Sequence, residues 1–557
     1  MRFLKILFAM AFLTVAFLTV SCSEPELPTY SETSFMGIEV VSAEAFEKLE
    51  TENEPVYIPE GTDLRFSGNP VPYYENECTY LLPVDLNSAE WDDGRLTTND
   101  GGKLYLVADD GLYTEAKSDS VASSRSFTLL HLIDGKLNKY NIKFTGLPIM
   151  TVTTKEPVEN PNNPIGADDV DCVLTMYEPS SAAGTPVYQV SDAYLHERGG
   201  STVDAGYLKK GYRINLRYTN ENGEKKNNHL SFCGLRAEDD WIIIPLFTED
   251  TKVREKFCID TWEMFGLENN DYDMNNGTRM EYIELIINGT YWGMVGLVEP
   301  IDGKQLNMST GDVLVKIHSW TKPKAEILRN LGTTVLYVDY SAALAEQETM
   351  DIKYPSAVTQ ESWDVMATFM EYVYESTPQR MVRDIGSWID VGNAVDHWLF
   401  TNFICAGDNV WKNLYISFKK DADIYKIYLT PWDFDLTFGE KWDGNAFLHW
   451  KYDEGVVKSI YEFEYTRAVI DHMEGGKAAC YDRWQELRAD VLKEENIMKR
   501  IDDIQAFMMS TGAYMRDLER WPEGGHTEDL TYMKDIITRR LEYLDGYIER
   551  KFGPAVQ

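Results

Sequence analysis

The two stretches Asp408-Asn-Val-Trp-Lys-Asn413 and Pro431-Trp-Asp-Phe-Asp435 decide the interpretation of this chain of 557 residues. The first places an Asp five residues before an Asn, directly after an apolar helix predicted over residues 390–404. The second follows a predicted strand pair and carries Asp433 and Asp435 at alternating positions, which point the same way from an extended segment. Two such carboxylates repel each other unless a cation lies beside them, and a hard divalent ion is their natural partner. The spacing therefore predicts a metal site, with a pair of solvated loop aspartates as the alternative.

A third stretch lies upstream, where Glu281–Val298 reads as the clearest β-hairpin of the chain around the turn Asn288-Gly289. Asn-Gly is the strongest short-range hairpin signal because both residues accept a positive φ. Glycines at positions 289 and 293 also allow the backbone to approach a ligand closely, as glycine loops do over phosphates. Alone, the pattern predicts a hairpin and only weakly a phosphate site.

The order of these pieces is the plan of a protein kinase: a glycine-containing hairpin, a D-x₄-N loop, and then a strand pair that ends in aspartates. On these motifs the chain resembles the CotH (spore coat protein H) kinase-like family over roughly residues 170–550. The other matching segments are Arg198-Gly-Gly-Ser201, Lys209-Lys-Gly-Tyr-Arg213, Gly311-Asp-Val-Leu-Val-Lys316, Asn413-Leu-Tyr415 and Phe438-Gly439.

The resemblance implies an atypical protein kinase-like fold that binds ATP with Mg²⁺ or Mn²⁺ and phosphorylates Ser or Thr of an unknown protein acceptor. It implies that Asp408 is the catalytic base, which orients the acceptor hydroxyl. It makes Asn413 and Asp433 the metal ligands, with Asp435 as a second carboxylate.

The resemblance also implies a nucleotide-binding set of Gly289, Tyr291, Gly293, Glu299 and Lys316. Lys316 is the expected phosphate-contacting lysine. Two alternatives stay open at this point: Lys209 or Lys210 in the place of Lys316, and strand capping by Glu299 in place of orienting that lysine. Tyr291 and Trp292 stack on the adenine or pack in the core.

Two departures from the family pattern bear on activity. Gly200 stands where the family commonly has Asn in Arg-Gly-Asn-Ser, and the Asp408 loop carries the bulky residues Val410 and Trp411. Neither removes a charge that phosphoryl transfer requires. We expect the histidines near these segments, His318, His397 and His449, to be structural, because none has a second ligand at metal-binding spacing.

The charge balance limits the partners. With 53 Lys and Arg against 91 Asp and Glu, the net charge of −38 excludes a general nucleic-acid binder, which needs a basic face. It does not exclude a nucleotide site, because local cations and metal ions handle phosphate inside an acidic shell.

The N-terminus predicts export. Arg2 and Lys5 precede the apolar run Ile6–Val20, which reads as a cleaved signal peptide, with a transmembrane anchor as the rival. Cys22 directly after Ser21 resembles a lipoprotein signal, in which Cys22 is lipidated. The acidic stretch behind it looks like the tethers of Bacteroidetes surface lipoproteins. We therefore expect a lipoprotein at the outer membrane or cell surface, held to the membrane through its lipid only.

The predicted fold class is α+β: an atypical kinase-like two-lobed domain preceded by a small all-β, sandwich-like domain. The predicted boundaries are a signal peptide at 1–21, the β domain at 22–154, a Pro-rich linker at 155–169 and the kinase-like domain at 170–557. Besides Cys22, six scattered cysteines permit disulfides or buried free thiols.

Two other functions remain as alternatives. The first is a non-catalytic binding or scaffold lipoprotein at the cell surface, with a kinase-like fold that holds a ligand without turnover. The second is carbohydrate hydrolysis by Asp433 and Asp435, but that reaction gives the D-x₄-N loop no role.

Overall fold

A computed structural model describes most of the chain. The described residues are 34–91, 94–108, 115–158, 165–179, 187–199, 207–266, 274–333, 336–338, 347–374, 376–377, 379–380, 383, 388, 390–440 and 464–554. The predicted signal peptide, Cys22, Gly200, Ser201 and His449 lie outside these residues.

The N-terminal region is built on an eight-stranded mixed sheet and a three-stranded sheet. Its elements are β1 (Ser34–Phe35), β2 (Ile38–Val41), α1 (Ala43–Glu52), β3 (Glu54–Val56), β4 (Leu64–Phe66), β5 (Asn69–Pro70), β6 (Tyr73–Tyr74), β7 (Thr79–Pro83), β8 (Leu96–Thr98), β9 (Lys103–Val107), α2 (Lys117–Ala122), β10 (Ser126–Ile133) and β11 (Lys136–Thr145). The large sheet runs β1-β2-β9-β10-β11-β7-β6, with β3 also paired to β11. An aromatic core that includes Phe35, Trp91 and Phe144 packs between these elements.

The expectation that this region is all-β is wrong, because it contains α1 and α2. The start of α1 has a physical reason: the Ser42 hydroxyl accepts a hydrogen bond from the backbone N–H of Ala45 and so caps the first turn. The helix sequence that follows is rich in Ala, Glu, Leu and Lys, which are strong helix formers.

The next eight strands form a second sheet, in which seven strands close into a ring. Its elements are β12 (Ile149–Thr154), β13 (Val170–Glu178), β14 (Val187–Arg198), β15 (Gly211–Thr219), β16 (Lys225–Asn227), β17 (Asp240–Ile244), α3 (Arg254–Gly266), β18 (Met280–Ile287) and β19 (Thr290–Val298). The order is β14-β13-β12-β18-β19-β17-β15, and β14 pairs with β15 to close the ring. Alternating residues such as Tyr212, Ile214 and Leu216 pack with Trp241 and Trp292 in one cluster.

The structure places two segments differently from the predicted domain boundaries. Ile149–Thr154, which fell within the predicted β domain, pairs with β13 and β18 of the closed sheet. Ile165, which fell within the predicted linker, is fully buried in the cluster of that sheet. Hydrophobic burial therefore ties both segments to the second sheet.

A five-stranded sheet and the remaining helices complete the structure. The elements are β20 (Val313–Ile317), α4 (Ala325–Leu328), β21 (Leu336–Val338), β22 (Gln347–Tyr354), α5 (Gln360–Tyr374), α6 (Val391–Phe403), β23 (Leu414–Asp421), β24 (Ile424–Pro431), α7 (Glu464–His472), α8 (Gly476–Ala489), α9 (Glu494–Ser510), α10 (Ala513–Arg520) and α11 (Thr531–Phe552). The sheet runs β21-β22-β20-β23-β24.

Several predicted elements are confirmed. The hairpin is β18–β19, with Asn288 and Gly289 at φ 48° and 69° in the turn. The helix predicted over 390–404 is α6, which Asp390 caps by accepting a hydrogen bond from Asn393 N. The C-terminal helical region is α7–α11. None of the described helices is long and apolar enough to cross a membrane. The six cysteines beyond Cys22 are all described, and all are free thiols.

Candidate active site

The strand pair β23–β24 brings the two defining loops together. The strands are antiparallel with Leu414 opposite Pro431, so the loop before β23 lies beside the loop after β24. Trp432 N donates to Asn413 O at 3.0 Å, and Asn409 Nδ2 donates to Trp432 O at 2.6 Å. Buried Asn393 on α6 holds the pair from the other side through two hydrogen bonds to the Leu429 backbone. The D-x₄-N loop and the aspartate segment therefore form one unit.

Asp408 lies in a short 3₁₀ turn at Gly407–Asn409, with its carboxylate fixed by three donors. Lys412 Nζ and Asn413 Nδ2 donate to Oδ2 at 2.8 and 3.0 Å, and Trp320 Nε1 donates to Oδ1 at 3.1 Å. The predicted base and the predicted metal ligand Asn413 are thus in direct contact. That contact uses the Asn413 amide nitrogen and leaves its amide oxygen for another partner.

The backbone at this site adopts conformations that side-chain-bearing residues rarely take. Asn413 and Asp433 have φ angles of 54° and 69°, in the left-handed region. Such conformations persist only where the surroundings impose them, and they concentrate at functional sites. The spacing of Asp433 and Asp435 predicted that both lie in an extended segment. This prediction is wrong for Asp433, because β24 ends at Pro431 and the chain turns there.

Asp433 and Asp435 are nevertheless electrostatic neighbours. Burial and the nearby Asp408 raise the pKa of Asp433 above its ordinary value. Burial, Asp433 and Asp408 raise the pKa of Asp435 to about 8. Asp435 accepts a hydrogen bond from Thr248 Oγ1 at 3.2 Å, whereas the Asp433 carboxylate has no hydrogen-bond partner among the described residues. Both carboxylates are half-buried, and neither has an ion-pair partner among the described residues, as carboxylates withdrawn from water normally do.

A further carboxylate, which the sequence analysis did not identify, lies at the same place. Glu255 in the first turn of α3 is only 2% exposed, and its Oε2 accepts a hydrogen bond from Phe434 N at 2.7 Å. Burial, Asp433 and Asp435 raise the pKa of Glu255 well above its ordinary value. We call Glu255, Asp433 and Asp435 the acidic cluster. No local motif marks Glu255, because its partner lies 179 residues away.

Two cations face the acidic cluster from the sheets. Lys316 on β20 lies in register with Tyr415, and burial together with Arg198 and Lys353 lowers its pKa to about 7. Arg198 at the end of β14 lies with its guanidinium carbon 5.8 Å from the Trp432 ring centroid. Both side chains interact electrostatically with Asp433, and within the described part of the chain neither forms a hydrogen bond or an ion pair.

The lysines considered as alternatives to Lys316 have acidic partners. Lys209 is fully buried, and its Nζ lies 2.6 Å from Asp517 Oδ1 and 2.6 Å from Met294 O. Lys210 forms an ion pair with Glu197 at 2.9 Å. Among the three candidates, Lys316 is the one beside Asp433.

The glycine hairpin contacts other parts of the chain. Gly289 O accepts a hydrogen bond from Glu75 N at 2.7 Å, which docks the turn on the N-terminal region. Gly293 has φ 113°, and an added Cβ would lie 2.2 Å from Asp517 Oδ1. Tyr291 is buried against Tyr74 and donates to Glu284 Oε1 at 2.5 Å. The close approach of other atoms does explain why glycine stands at both positions, but these atoms belong to protein side chains and not to a ligand.

The remaining predicted residues lie as follows. Glu299 is 1% exposed, and its Oε1 accepts a hydrogen bond from Arg236 N at 2.7 Å, so the structure does not bring it to Lys316. His318 Nε2 lies 3.2 Å from Asp351 Oδ1. His397 is buried in α6 beside Trp262, and burial lowers its pKa to about 3.

By chemical type the donors of this site suit a divalent metal with a phosphate ligand, although the carboxylate oxygens of the acidic cluster do not all lie within 4.8 Å of one another. Asp433 and Asp435 are carboxylates without a full cationic partner, the Asn413 amide oxygen lies in the adjacent loop, and oxygen ligands of this kind suit Mg²⁺ or Mn²⁺. Lys316 and Arg198 would supply positive charge to a phosphate group bound beside them.

The comparison with protein families gives one match, to the family described as CotH kinase protein, over residues 195–544. The matched region contains every residue of the acidic cluster, together with Asp408, Asn413, Lys316 and Arg198. It covers more than half of the chain. Comparison with curated proteins finds no similar sequence.

Proposed function

From the premise that the chain belongs to the CotH kinase protein family, we propose that it transfers the γ-phosphate of ATP to a Ser or Thr hydroxyl of a protein, with Mg²⁺ or Mn²⁺ bound. The family supports kinase-like use of a nucleotide and a divalent metal. We propose in addition that the acceptor is a protein Ser or Thr and that the metal is Mg²⁺ or Mn²⁺, on the basis of the chemistry of the site.

The main observation in support of phosphate transfer is that unpaired side chains of both charge signs converge beside Asp408. Asp433 has no hydrogen-bond partner within the described ranges, and Lys316 and Arg198 lie against it without an ion pair of their own. Buried or half-buried charges are normally paired, because desolvation is costly. Charges that remain unpaired on both sides of one space are arranged for a ligand that carries both signs, as a metal-bound polyphosphate does.

Each residue then has a role set by its position. Asp408, already oriented by Asn413 and Lys412, accepts the proton of the acceptor hydroxyl. At the same time the hydroxyl oxygen forms a bond to the γ-phosphorus, and the bond between that phosphorus and the ADP oxygen breaks. Asn413, Asp433 and Asp435 would hold the metal, and a metal held there would supply positive charge that stabilises the phosphate during transfer. Lys316 and Arg198 contact the phosphates. The hairpin glycines and Tyr291 are left out of this assignment, because protein groups cover them.

Phosphate transfer from labelled ATP tests the proposal. The chain lacking residues 1–22 is incubated with γ-labelled ATP, a generic protein acceptor, and either Mg²⁺ or Mn²⁺. We expect label on Ser or Thr that depends on the metal and disappears with Asp408→Ala. If neither metal supports transfer above the Asp408→Ala control, the proposal fails. Stabilisation by ATP and metal without transfer would instead identify a ligand-holding scaffold.

We also propose that the chain is an exported lipoprotein with lipid on Cys22, at the outer membrane or cell surface. The basic start, the apolar run and the position of Cys22 support this. Metabolic labelling with an alkyne fatty acid in a bacterial host tests it. We expect label in the wild-type chain and none in Cys22→Ala; an unlabelled wild-type chain that stays in the cytoplasm would contradict it.

A further inference from the structure

The D-x₄-N loop packs against the segment that follows β20. Trp320 Nε1 donates to Asp408 Oδ1 at 3.1 Å, and Trp411 Nε1, from the loop itself, donates to Thr321 O at 3.2 Å. The bulky Trp411 is fully buried, whereas Trp320 is 44% exposed. An acceptor hydroxyl has to reach Asp408, so the protein that carries it must approach beside this exposed tryptophan.

A groove lies directly beyond Thr321, between this segment and α5. It has a volume of about 470 Å³, within the range of about 300–1,000 Å³ that is usual for ligand sites. Part of its lining is apolar: Met370 is buried, and the Tyr374 and Trp411 rings meet edge to face with their centroids 5.9 Å apart. We call it the basic groove, and its lining residues are Lys322, Pro323, Lys324, Glu326, Met370 and Tyr374.

The charge of this segment is opposite to that of the chain as a whole. From the start of β20 to Gly332, four Lys or Arg residues stand against one glutamate, whereas the whole chain has 53 against 91. Lys322 Nζ lies 4.8 Å from the Tyr374 ring centroid, and Lys324 is exposed and has no ion-pair partner among the described residues. Cations beside an apolar surface complement a segment that carries acidic and apolar side chains.

A second groove of the molecule lacks these features. It has a volume of about 270 Å³ and lies where α3 approaches α8. Its cation, Arg483, is paired with Asp396 through Nε at 2.7 Å, and its lining includes Glu486 and Asp490. The combination of exposed lysines, an apolar lining and a direct link to Asp408 therefore distinguishes the basic groove.

We infer that the basic groove binds the acceptor protein next to the phosphorylated residue, and that it selects an apolar side chain flanked by acidic residues. The inference rests on the proposed function for the transfer itself and adds the class of acceptor. The apolar side chain packs on Met370 and Tyr374, and the acidic residues pair with Lys322 and Lys324. Because an extended chain rises about 3.3 Å per residue, the selected residues lie about two to four positions from the acceptor Ser or Thr.

Binding of short peptides in the absence of ATP tests this. Three fluorescein-labelled peptides share a central serine and carry Glu-Leu-Glu, Gln-Leu-Gln or Glu-Gly-Glu on both sides of it. Fluorescence anisotropy with the protein of the transfer assay measures their affinities in about 0.15 M salt, which screens charges more than about 8 Å away. We expect the Glu-Leu-Glu peptide to bind at least about fivefold more tightly than either of the others. Equal affinities for the three peptides would overturn the inference.

A charge reversal locates the binding site. Lys324→Glu should weaken binding of the Glu-Leu-Glu peptide at least about fivefold and change that of the Gln-Leu-Gln peptide by less than about twofold. Lys477→Glu is the matched control, because it makes the same change at an exposed lysine in the first turn of α8 and should leave both affinities unchanged. If both variants weaken binding equally, the attraction is general and the inference is wrong. Displacement of the peptide by ATP with Mg²⁺ would assign the groove to the nucleotide and also overturn it.

The transfer assay separates the inference from the proposed function. With the Glu-Leu-Glu peptide as acceptor, Lys324→Glu should raise KM at least about fivefold and change kcat by less than about twofold, because the groove binds the ground state and the transition state alike. Transfer to a generic protein without preference among the peptides would refute the inference and leave the proposed function standing. No transfer to any acceptor would refute the proposed function, and the assignment of the groove to an acceptor with it.

Discussion

Two charged regions of this protein are buried in very different ways. One is the docking cluster, which we define as Lys209, Glu284, Arg516 and Asp517. Lys209 is paired with Asp517, and Arg516 contacts Glu284 through Nε at 2.7 Å and NH2 at 2.9 Å. The other region is the acidic cluster of Glu255, Asp433 and Asp435, whose like charges lie together with Lys316 and Arg198 nearby but not bonded to them.

The difference teaches what each region does. The docking cluster joins α10 to the hairpin strands β18 and β19 and, through Arg516 NH1 and Ser124 Oγ at 3.0 Å, to the N-terminal region. Its charges are satisfied, so it holds parts of the molecule together. The acidic cluster has no ion-pair partner among the described residues, which costs stability, and our proposed function accounts for that cost by a ligand that binds there.

The largest effect is expected from Lys209→Met in the docking cluster. This change leaves Asp517 buried at 1% exposure without its lysine, so the free energy of unfolding should fall by about 3–5 kcal/mol. Urea unfolding followed by tryptophan fluorescence measures it. A loss below about 1 kcal/mol would show that the docking cluster does not hold the hairpin in place.

The same substitution at Lys316, in the proposed phosphate site, should slow phosphate transfer. Lys316→Met removes a phosphate-contacting charge, and the transfer rate should fall about 10²–10³-fold, equivalent to roughly 3–4 kcal/mol. Its free energy of unfolding should not decrease, because the wild-type ammonium is half-buried beside Arg198. Initial rates with labelled ATP, together with urea unfolding, measure both. Destabilisation as large as that of Lys209→Met would erase the distinction between the regions.

Different pH dependences of stability should sharpen the comparison. The pKa of Asp435 is raised to about 8 in the folded chain, above its ordinary value of 3.8. Folding therefore takes up a proton between these pH values, and metal-free stability should fall as pH rises from about 4 to 8. The slope is at most about 1.4 kcal/mol per pH unit for one proton.

The contribution of Asp517 in the docking cluster should be constant over the same pH range. The pKa of Asp517 is lowered below 3.8, so its contribution is fully present above that value and is lost only as pH falls through the lower folded pKa. Urea unfolding with a metal chelator at pH 5 and pH 8 measures the slope. Asp435→Asn should reduce it; an unchanged slope would place the titrating group elsewhere.

The smallest effect is expected at Trp320, which is 44% exposed and donates one hydrogen bond to Asp408. Trp320→Phe keeps an aromatic side chain and removes that donor, so the transfer rate should fall by about tenfold, since a hydrogen bond to a charged group contributes about 1.5 kcal/mol at the low end of its range and this one is partly exposed. Rate assays at saturating ATP measure it. A loss comparable with that of Lys316→Met would mean that Trp320 is part of the reaction site.

Local patterns predicted the elements that position the site. The Asn-Gly hairpin, the Asp390-capped helix and the pairing of β23 with β24 all follow from signals within a few residues, and each is present. The adjacency of Asp408 and Asp433 followed from the order of those elements. Propensity and patterning suffice where the deciding contacts are local.

Residues that depend on distant partners were not predictable in this way. Lys209 and Lys316 were both candidates for the phosphate-contacting lysine, and only the folded chain shows that Asp517, 308 residues away, pairs with Lys209. Gly293 suggested a phosphate approach, but the approaching group is again Asp517. Glu255 gave no signal, because its importance arises from a helix start packing on a loop far along the sequence.

Anomalous diffraction from crystals soaked with Mn²⁺ and a non-hydrolysable ATP analogue tests the central claim most directly. We predict an anomalous peak within about 2.0–2.6 Å of oxygens from Asp433 and Asn413, with the analogue's phosphates against Lys316. A peak instead at His229, Glu238 and Asp239, whose potential ligand atoms all lie within 4.8 Å of one another, would contradict the account. So would phosphates bound at the hairpin turn with the acidic cluster left without an ion.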